Sequence, residues 1–149
     1  MRDLLFVYGT LRDPDLLAAV LARPLNGAAI FPAVAPGHRV VLYPSRTYPA
    51  LVRAPGANAE GLVLADLTPF ELDLLDAYEG AEYRRGRLPV ILDEELHEAF
   101  AYLPASAIPA DAAPWRLTQW QEAHKSRALV SERAAAEALR IKLLAIRPH

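Results

Sequence analysis

Between residues 28 and 66 the chain passes through four short apolar runs, residues 28–31, 39–43, 50–53 and 61–64, each separated from the next by Pro or Gly. Strands punctuated this often do not spread into a wide flat sheet, and the spacing predicts a curved or closed one. Two further strand candidates, residues 87–92 and 98–103, flank the acidic turn Asp93-Glu94-Glu95. Ahead of them all, Leu4-Leu5-Phe6-Val7-Tyr8 is a continuous bulky run that stops at Gly9-Thr10, the pattern of a strand buried on both faces. Thirteen prolines against seven glycines make the connections stiff.

Helix signals punctuate the strands. Asp13-Pro14 supplies an N-cap and a proline for the first helical position, Leu16, Leu17, Val20 and Leu21 form one stripe, and Arg23-Pro24 ends it. Thr68-Pro69-Phe70-Glu71 has the capping-box form, and Leu72, Leu75 and Tyr78 follow at helical spacing. Gly80 offers the left-handed residue that ends such a helix, leaving Glu79 at its C-terminal edge. After Pro114 the chain becomes Ala-rich and basic, carrying +4 against −6 for the preceding part. The simplest reading is a helical appendage packed on an acidic body rather than a nucleic-acid tail. Within it residues 139–143 alternate like a strand, whereas Ala134, Ala138 and Ile141 repeat like a helix, and the helix is preferred.

Several chemistries are excluded. The net charge of −2 gives no general electrostatic reason to bind nucleic acid or anionic lipid. With no cysteine there is no disulfide, thiolate nucleophile or Cys-ligated metal, which fits a reducing compartment. No stretch approaches the ~20 apolar residues of a spanning helix, and the opening apolar run is too short for a secretory signal, so a cytoplasmic protein without a membrane partner is expected. His38, His97, His124 and His149 are scattered, with no H-E-x-x-H arrangement, so neither metal nor cofactor is expected. The nucleophile-elbow, dinucleotide and P-loop glycine motifs are all missing.

Two stretches carry possible chemistry. In Tyr8-Gly9-Thr10-Leu11-Arg12 a buried strand feeds a turn whose successive N–H groups point toward one spot, a seat for a carboxylate or a developing oxyanion; the alternative is a plain turn. In the stretch from Asp76 to Arg85, Glu79 stands at a helix C-terminus beside Tyr78 and Tyr83. The helix dipole and partial burial both raise a carboxyl pKa, and a carboxyl tuned toward neutrality can take a proton from an ammonium and return it to a leaving amine. The alternative, favoured by spacing alone, is an exposed Glu79 paired with Arg84 or Arg85.

Together these stretches, with Tyr48-Pro49-Ala50-Leu51 and Glu60-Gly61-Leu62-Val63 between them, resemble the gamma-glutamylcyclotransferase-like family, nearest the branch that includes gamma-glutamylamine cyclotransferases. The resemblance covers roughly residues 1–103. It implies an α+β fold: a small mixed β-barrel with flanking helices, in a single domain of residues 1–149. Residues 1–113 would form the barrel core and residues 114–149 a basic helical extension outside the family's common core. It also implies cyclisation of a gamma-glutamyl amine or amino acid to 5-oxoproline with release of the amine. Glu79 falls on the family's catalytic glutamate, and the backbone of Tyr8, Gly9, Thr10 and Leu11 on the turn that holds the substrate's carboxylate end. Tyr48 and Tyr83 are expected either to line the pocket or to pack in the core. Because fold does not settle function, two alternatives stand beside this one: a non-catalytic module binding a carboxylate-bearing metabolite, and an extension that acts as a partner or oligomer contact.

Overall fold

The computed structural model describes residues 3–146; the two ends of the segments read above, residues 1–2 and 147–149, lie outside it. Among the described residues five strands close into a barrel: β1 (Leu5–Val7), β2 (Ile30–Leu42), β3 (Pro49–Leu64), β4 (Tyr83–Leu92) and β5 (Glu95–Pro104), in the order β1-β3-β2-β4-β5. Neighbours run antiparallel except at the closing seam, where Leu5 pairs with Phe100 in parallel and the Phe100 N–H donates to the Leu4 carbonyl at 2.8 Å. Helices α1 (Pro14–Leu21), α2 (Pro69–Glu79), α3 (Leu117–Ala123) and α4 (Lys125–Ile146) flank the barrel. The mixed barrel with flanking helices is thus the fold that the resemblance implied.

The four apolar runs of residues 28–66 are two long strands rather than four short ones. Pro36 pairs with Asn58 but His38 with Arg53, so Ala54, Pro55, Gly56 and Ala57 bulge opposite Gly37. Gly37 and Gly56 adopt φ of 73° and 86° there. A bulge leaves residues outside the ladder, which is where proline's missing N–H does no harm, and it bends the strand instead of ending it. The punctuation at Pro36-Gly37 and Pro55-Gly56 therefore marks curvature, as expected, and not strand ends, whereas Pro44 lies in the connection between β2 and β3. At the β4–β5 hairpin the turn is two residues long: Asp93 and Glu94 take φ of 50° and 66°, and Leu92 already pairs with Glu95.

β1 is buried on both faces. Phe6 and Tyr8 point into the barrel with Ala33, Ala35, Ala59, Ala99 and Ala101, small residues that leave room for Phe6, Leu51 and Leu88. Leu5 and Val7 face outward, packing with Leu16, Leu17 and Val20 of α1, Leu75 of α2, and Trp120 and Ala136 from the C-terminal helices. Strand β3 approaches β1 closely at Gly61, where a Cβ would lie 2.5 Å from the Val7 carbonyl oxygen.

The C-terminal helices are bound to this body through Asp13. Its fully buried carboxylate caps α1, Oδ1 accepting from the Asp15 and Leu16 N–H groups at 3.0 Å, while Oδ2 accepts from Gln121 at 2.8 Å and lies 2.9 Å from the Lys125 ammonium. Arg140 donates to the Val20 carbonyl at 2.6 Å, and the Trp115 indole to the Thr47 carbonyl at 2.9 Å. Residues 139–143 lie within α4, so the helical reading of that stretch is the one adopted. Among the described residues no helix is long and apolar enough to cross a membrane.

Candidate active site

A cavity of about 290 Å³ lies where β1 leaves the barrel. Tyr8, Gly9, Thr10 and Leu11 line it from that exit, Tyr48 from the β2–β3 connection, Glu79 from the end of α2 and Tyr83 from the start of β4. Every site residue expected from the sequence therefore meets in one cavity.

Glu79 owes its position to the two ends of α2. The Thr68 hydroxyl accepts from the Glu71 N–H at 3.1 Å while the Glu71 carboxylate accepts from the Thr68 N–H at 2.9 Å, fixing the start. Glu71 is also clamped by the Arg23 guanidinium at 2.7 and 2.8 Å, tying α2 to the chain leaving α1. Gly80, at φ 69°, ends the helix with its N–H on the Asp76 carbonyl, which leaves Glu79 as the last helical residue. The Glu79 carboxyl reaches solvent through the cavity but is otherwise enclosed by protein. Burial, reinforced by the charge of Glu132, pushes its pKa up to about 8. The alternative pairing with an arginine is not formed: Arg85 is engaged by Asp76 at 3.1 Å and lies over the Phe100 ring at 4.6 Å, and Arg84 is exposed.

The turn after β1 is a single 3-10 turn, Thr10–Arg12, closed by Arg12 N–H to Gly9 C=O and Asp13 N–H to Thr10 C=O, both 3.0 Å. The preceding N–H groups, on Gly9, Thr10 and Leu11, have no protein acceptor among the described residues, as the opening of any helical turn leaves its first donors free. Gly9 itself has φ −122°, an ordinary extended value. What demands glycine there is Pro49, whose Cγ would stand 2.6 Å from a Cβ.

The tyrosines serve as walls with committed hydroxyls. Tyr8 donates to the Tyr102 carbonyl and Tyr83 to the Pro49 carbonyl, each at 2.5 Å, and Tyr102 donates to Asp76 at 2.8 Å. Tyr48 donates to Glu82 Oε1 at 2.5 Å and accepts from Arg46 at 2.8 Å. The rings of Tyr43, Tyr48 and Tyr83 pack together with centroids 5.6 to 6.0 Å apart. Both readings of Tyr48 and Tyr83 therefore hold at once: they line the cavity and are packed with satisfied hydroxyls. Burial raises the phenol of Tyr48 to about 12 and those of Tyr8, Tyr83 and Tyr102 further, so these four are neutral at physiological pH.

Two groups of lining residues were missed by sequence reasoning. Glu82 is one: the Tyr48 hydroxyl and then Arg46 hold its carboxyl below the ordinary range, and its Oε2 is buried without a hydrogen-bond partner among the described residues. The second comprises Trp120 of α3, His124 between the two C-terminal helices, and Ala128 and Glu132 of α4. The four-residue spacing of the last three was the signal available in the sequence. The cavity thus holds one carboxyl poised near neutrality and another kept ionised, a division that separates a proton carrier from a fixed charge.

Comparison with known proteins identifies the family. The family model described as gamma-glutamyl cyclotransferase, AIG2-like, matches residues 5–122, extending past residue 103, where the sequence resemblance ended. AIG2-like protein D of Arabidopsis thaliana is 30% identical over 141 residues, covering 91% of this chain and 90% of that protein. A protein from Arabidopsis thaliana solved in solution superposes with a TM-score of 0.66 at 27% identity, over 99% of this chain and 95% of its own. A gamma-glutamyl cyclotransferase structure shares the fold with a TM-score of 0.60 at 19% identity, over 100% and 90% of the two chains. With the family model matched over residues 5–122 and a relative 30% identical over nine-tenths of both chains, the chain belongs to the gamma-glutamyl cyclotransferase, AIG2-like family.

Proposed function

We propose that this protein cyclises a gamma-glutamyl amine or gamma-glutamyl amino acid to 5-oxoproline, releasing the amine, with Glu79 as general acid and base. The observation that carries the reading is the meeting, in one cavity, of a carboxyl with a pKa of about 8 and the free N–H groups of the Gly9–Leu11 turn. Those donors seat the substrate's α-carboxylate, which brings the α-ammonium toward Glu79. An ammonium entering beside it lowers the carboxyl pKa, so Glu79 releases its proton and stands beside the ammonium as a base. As Glu79 takes a proton from the ammonium, the freed amine attacks the γ-carbonyl carbon and a five-membered ring closes. Glu79 then gives the proton to the departing nitrogen, the C–N bond breaks, the ring nitrogen's second proton passes to the released amine, and 5-oxoproline and the ammonium product leave. Overall the α-nitrogen loses two protons and the departing nitrogen gains two, so the reaction consumes no water.

Nucleophile and electrophile belong to one molecule, so the site needs to hold a near-attack conformer and move protons. Tyr8, Tyr48 and Tyr83 supply neutral walls that confine the substrate's methylenes, because their hydroxyls are already given to protein acceptors. The test is a panel of gamma-glutamyl amines and amino acids assayed for both products. Equimolar 5-oxoproline and amine are expected. Free glutamate in place of 5-oxoproline would mean hydrolysis, and ligand-induced stabilisation without any product would favour the binding-module alternative.

A further inference from the structure

The family match ends at residue 122, yet three residues beyond it, His124, Ala128 and Glu132, form one wall of the cavity. Ala128 and Glu132 lie on one face of α4, in the same row as the fully buried Ala136, and His124 stands just before its first residue. This helix is held in place, not draped over the opening: Lys125 is tied to Asp13 at 2.9 Å and to Asp15 at 2.7 Å, and Arg140 to the Val20 carbonyl. Glu132 is half-buried in that wall, and it lines the same cavity as Tyr78 and Glu79 at the end of α2.

Resting on the cyclotransferase reading, we propose that Glu132 is a positioning residue of the site: from its wall of the cavity it faces the Tyr78–Glu79 end of α2 and sets a second carboxyl beside the one that carries the proton. The extension read from the sequence as an appendage is on this account part of the active site. A carboxyl that shares a small cavity with a second carboxylate keeps its proton to higher pH than it would alone, which is the direction seen for Glu79. The other groups facing Glu79 do not supply this effect in the neutral range. Tyr8, Tyr48, Tyr78, Tyr83 and Tyr102 are phenols raised by burial and stay uncharged, and the charge of Glu82 is balanced by Arg46 at 3.1 Å. His124, on the same wall, is the remaining titratable group.

The experiment is a carboxyl ¹³C NMR titration of Glu79 in the full-length protein and in Glu132→Gln, each also in a His124→Gln background so that the ring's ionisation does not enter. Glu132→Gln is expected to lower the Glu79 midpoint by about one pH unit, in both backgrounds, while Glu132→Asp retains the raised midpoint. Glu132→Ala, as a second variant, must move it in the same direction. In turnover assays the acid limb of the pH profile of 5-oxoproline release moves down by the same amount, whereas a merely structural residue would lower the rate without moving the limb. An unchanged Glu79 midpoint in the Gln and Ala variants overturns the proposal whether or not the protein turns over substrate. Absence of turnover by the wild type overturns the cyclotransferase reading instead.

Discussion

Glu79→Gln should make the protein more stable, by an amount that grows with pH. In the folded state burial and Glu132 raise the Glu79 carboxyl from its ordinary 4.5 to about 8. Across that interval the native state holds a proton that the unfolded chain has lost, so stability falls as pH rises from about 4.5 to about 8. Each pH unit corresponds to about 1.4 kcal/mol at full effect, or about 3.4 kcal/mol by pH 7. Because the side chain keeps contact with solvent through the cavity, we halve this, to about 1.5–2 kcal/mol at pH 7 and slightly more above pH 8. Glutamine fills the same space with no charge to desolvate and carries no such pH dependence. Urea unfolding of the two proteins from pH 5 to pH 9 isolates the effect, since every other titrating group is common to both. The stability difference should be near zero at pH 5, favour the glutamine protein by pH 7, and level off above pH 8. A difference that is flat with pH, or one that turns against glutamine as pH rises, refutes the assigned environment of Glu79. The expected result is that of a functional group retained at a cost to stability.

Three structural predictions accompany it. Gly61→Ala drives a Cβ into the Val7 carbonyl and to 2.7 Å from the Phe6 ring, and should cost about 3 kcal/mol in urea unfolding, whereas Gly27→Ala, with nothing within 4 Å, should stay within about 0.5 kcal/mol; equal effects would contradict the close approach of β3 to β1. Asp13→Ala removes the α1 cap and the bonds to Gln121 and Lys125 and should cost about 2–3 kcal/mol, while Asp13→Asn, which keeps the cap, should cost less. Burial is the largest single influence on the Asp13 carboxyl and pushes it up, but the bonds from Gln121 and Lys125 and the α1 cap outweigh it and leave the carboxyl below its ordinary value. Its contribution is therefore present above the ordinary carboxylate range and lost as pH falls through the lowered folded value, which acid unfolding of wild type against Asp13→Asn measures. Glu94→Gly relieves a left-handed residue in the hairpin turn and should stabilise by about 1 kcal/mol, raising Tm by roughly 2–4 °C; no change in the melt would count against the turn geometry.

The parts of this fold that were legible in the sequence are those specified locally. The Thr68–Glu71 capping box, the Asp13-Pro14 helix start and the doubly buried β1 each declare themselves within a few residues, and the observed caps and burial follow them. Strand ends were not legible, because Pro36-Gly37 and Pro55-Gly56 look like terminators and become a bulge only when β2 and β3 pair, a contact about twenty residues apart in the chain. At the site, the Tyr8–Leu11 turn and Glu79 could be nominated from local pattern, but whether Glu79 pairs with an arginine depends on Asp76 capturing Arg85 across elements. Glu82 and Glu132 were invisible for the same reason. The first looks like one more charge in a Glu-rich stretch, and the second sits on a helix whose docking depends on Asp13, 119 residues earlier.

The most direct measurement is the single-turnover rate of 5-oxoproline formation from a gamma-glutamyl substrate bound to wild type and to Glu79→Gln, with binding of the substrate measured separately. Both proteins are expected to bind it, and the glutamine variant to cyclise it at least about 100-fold more slowly. Equal cyclisation rates on the two bound enzymes would contradict Glu79 as the proton carrier.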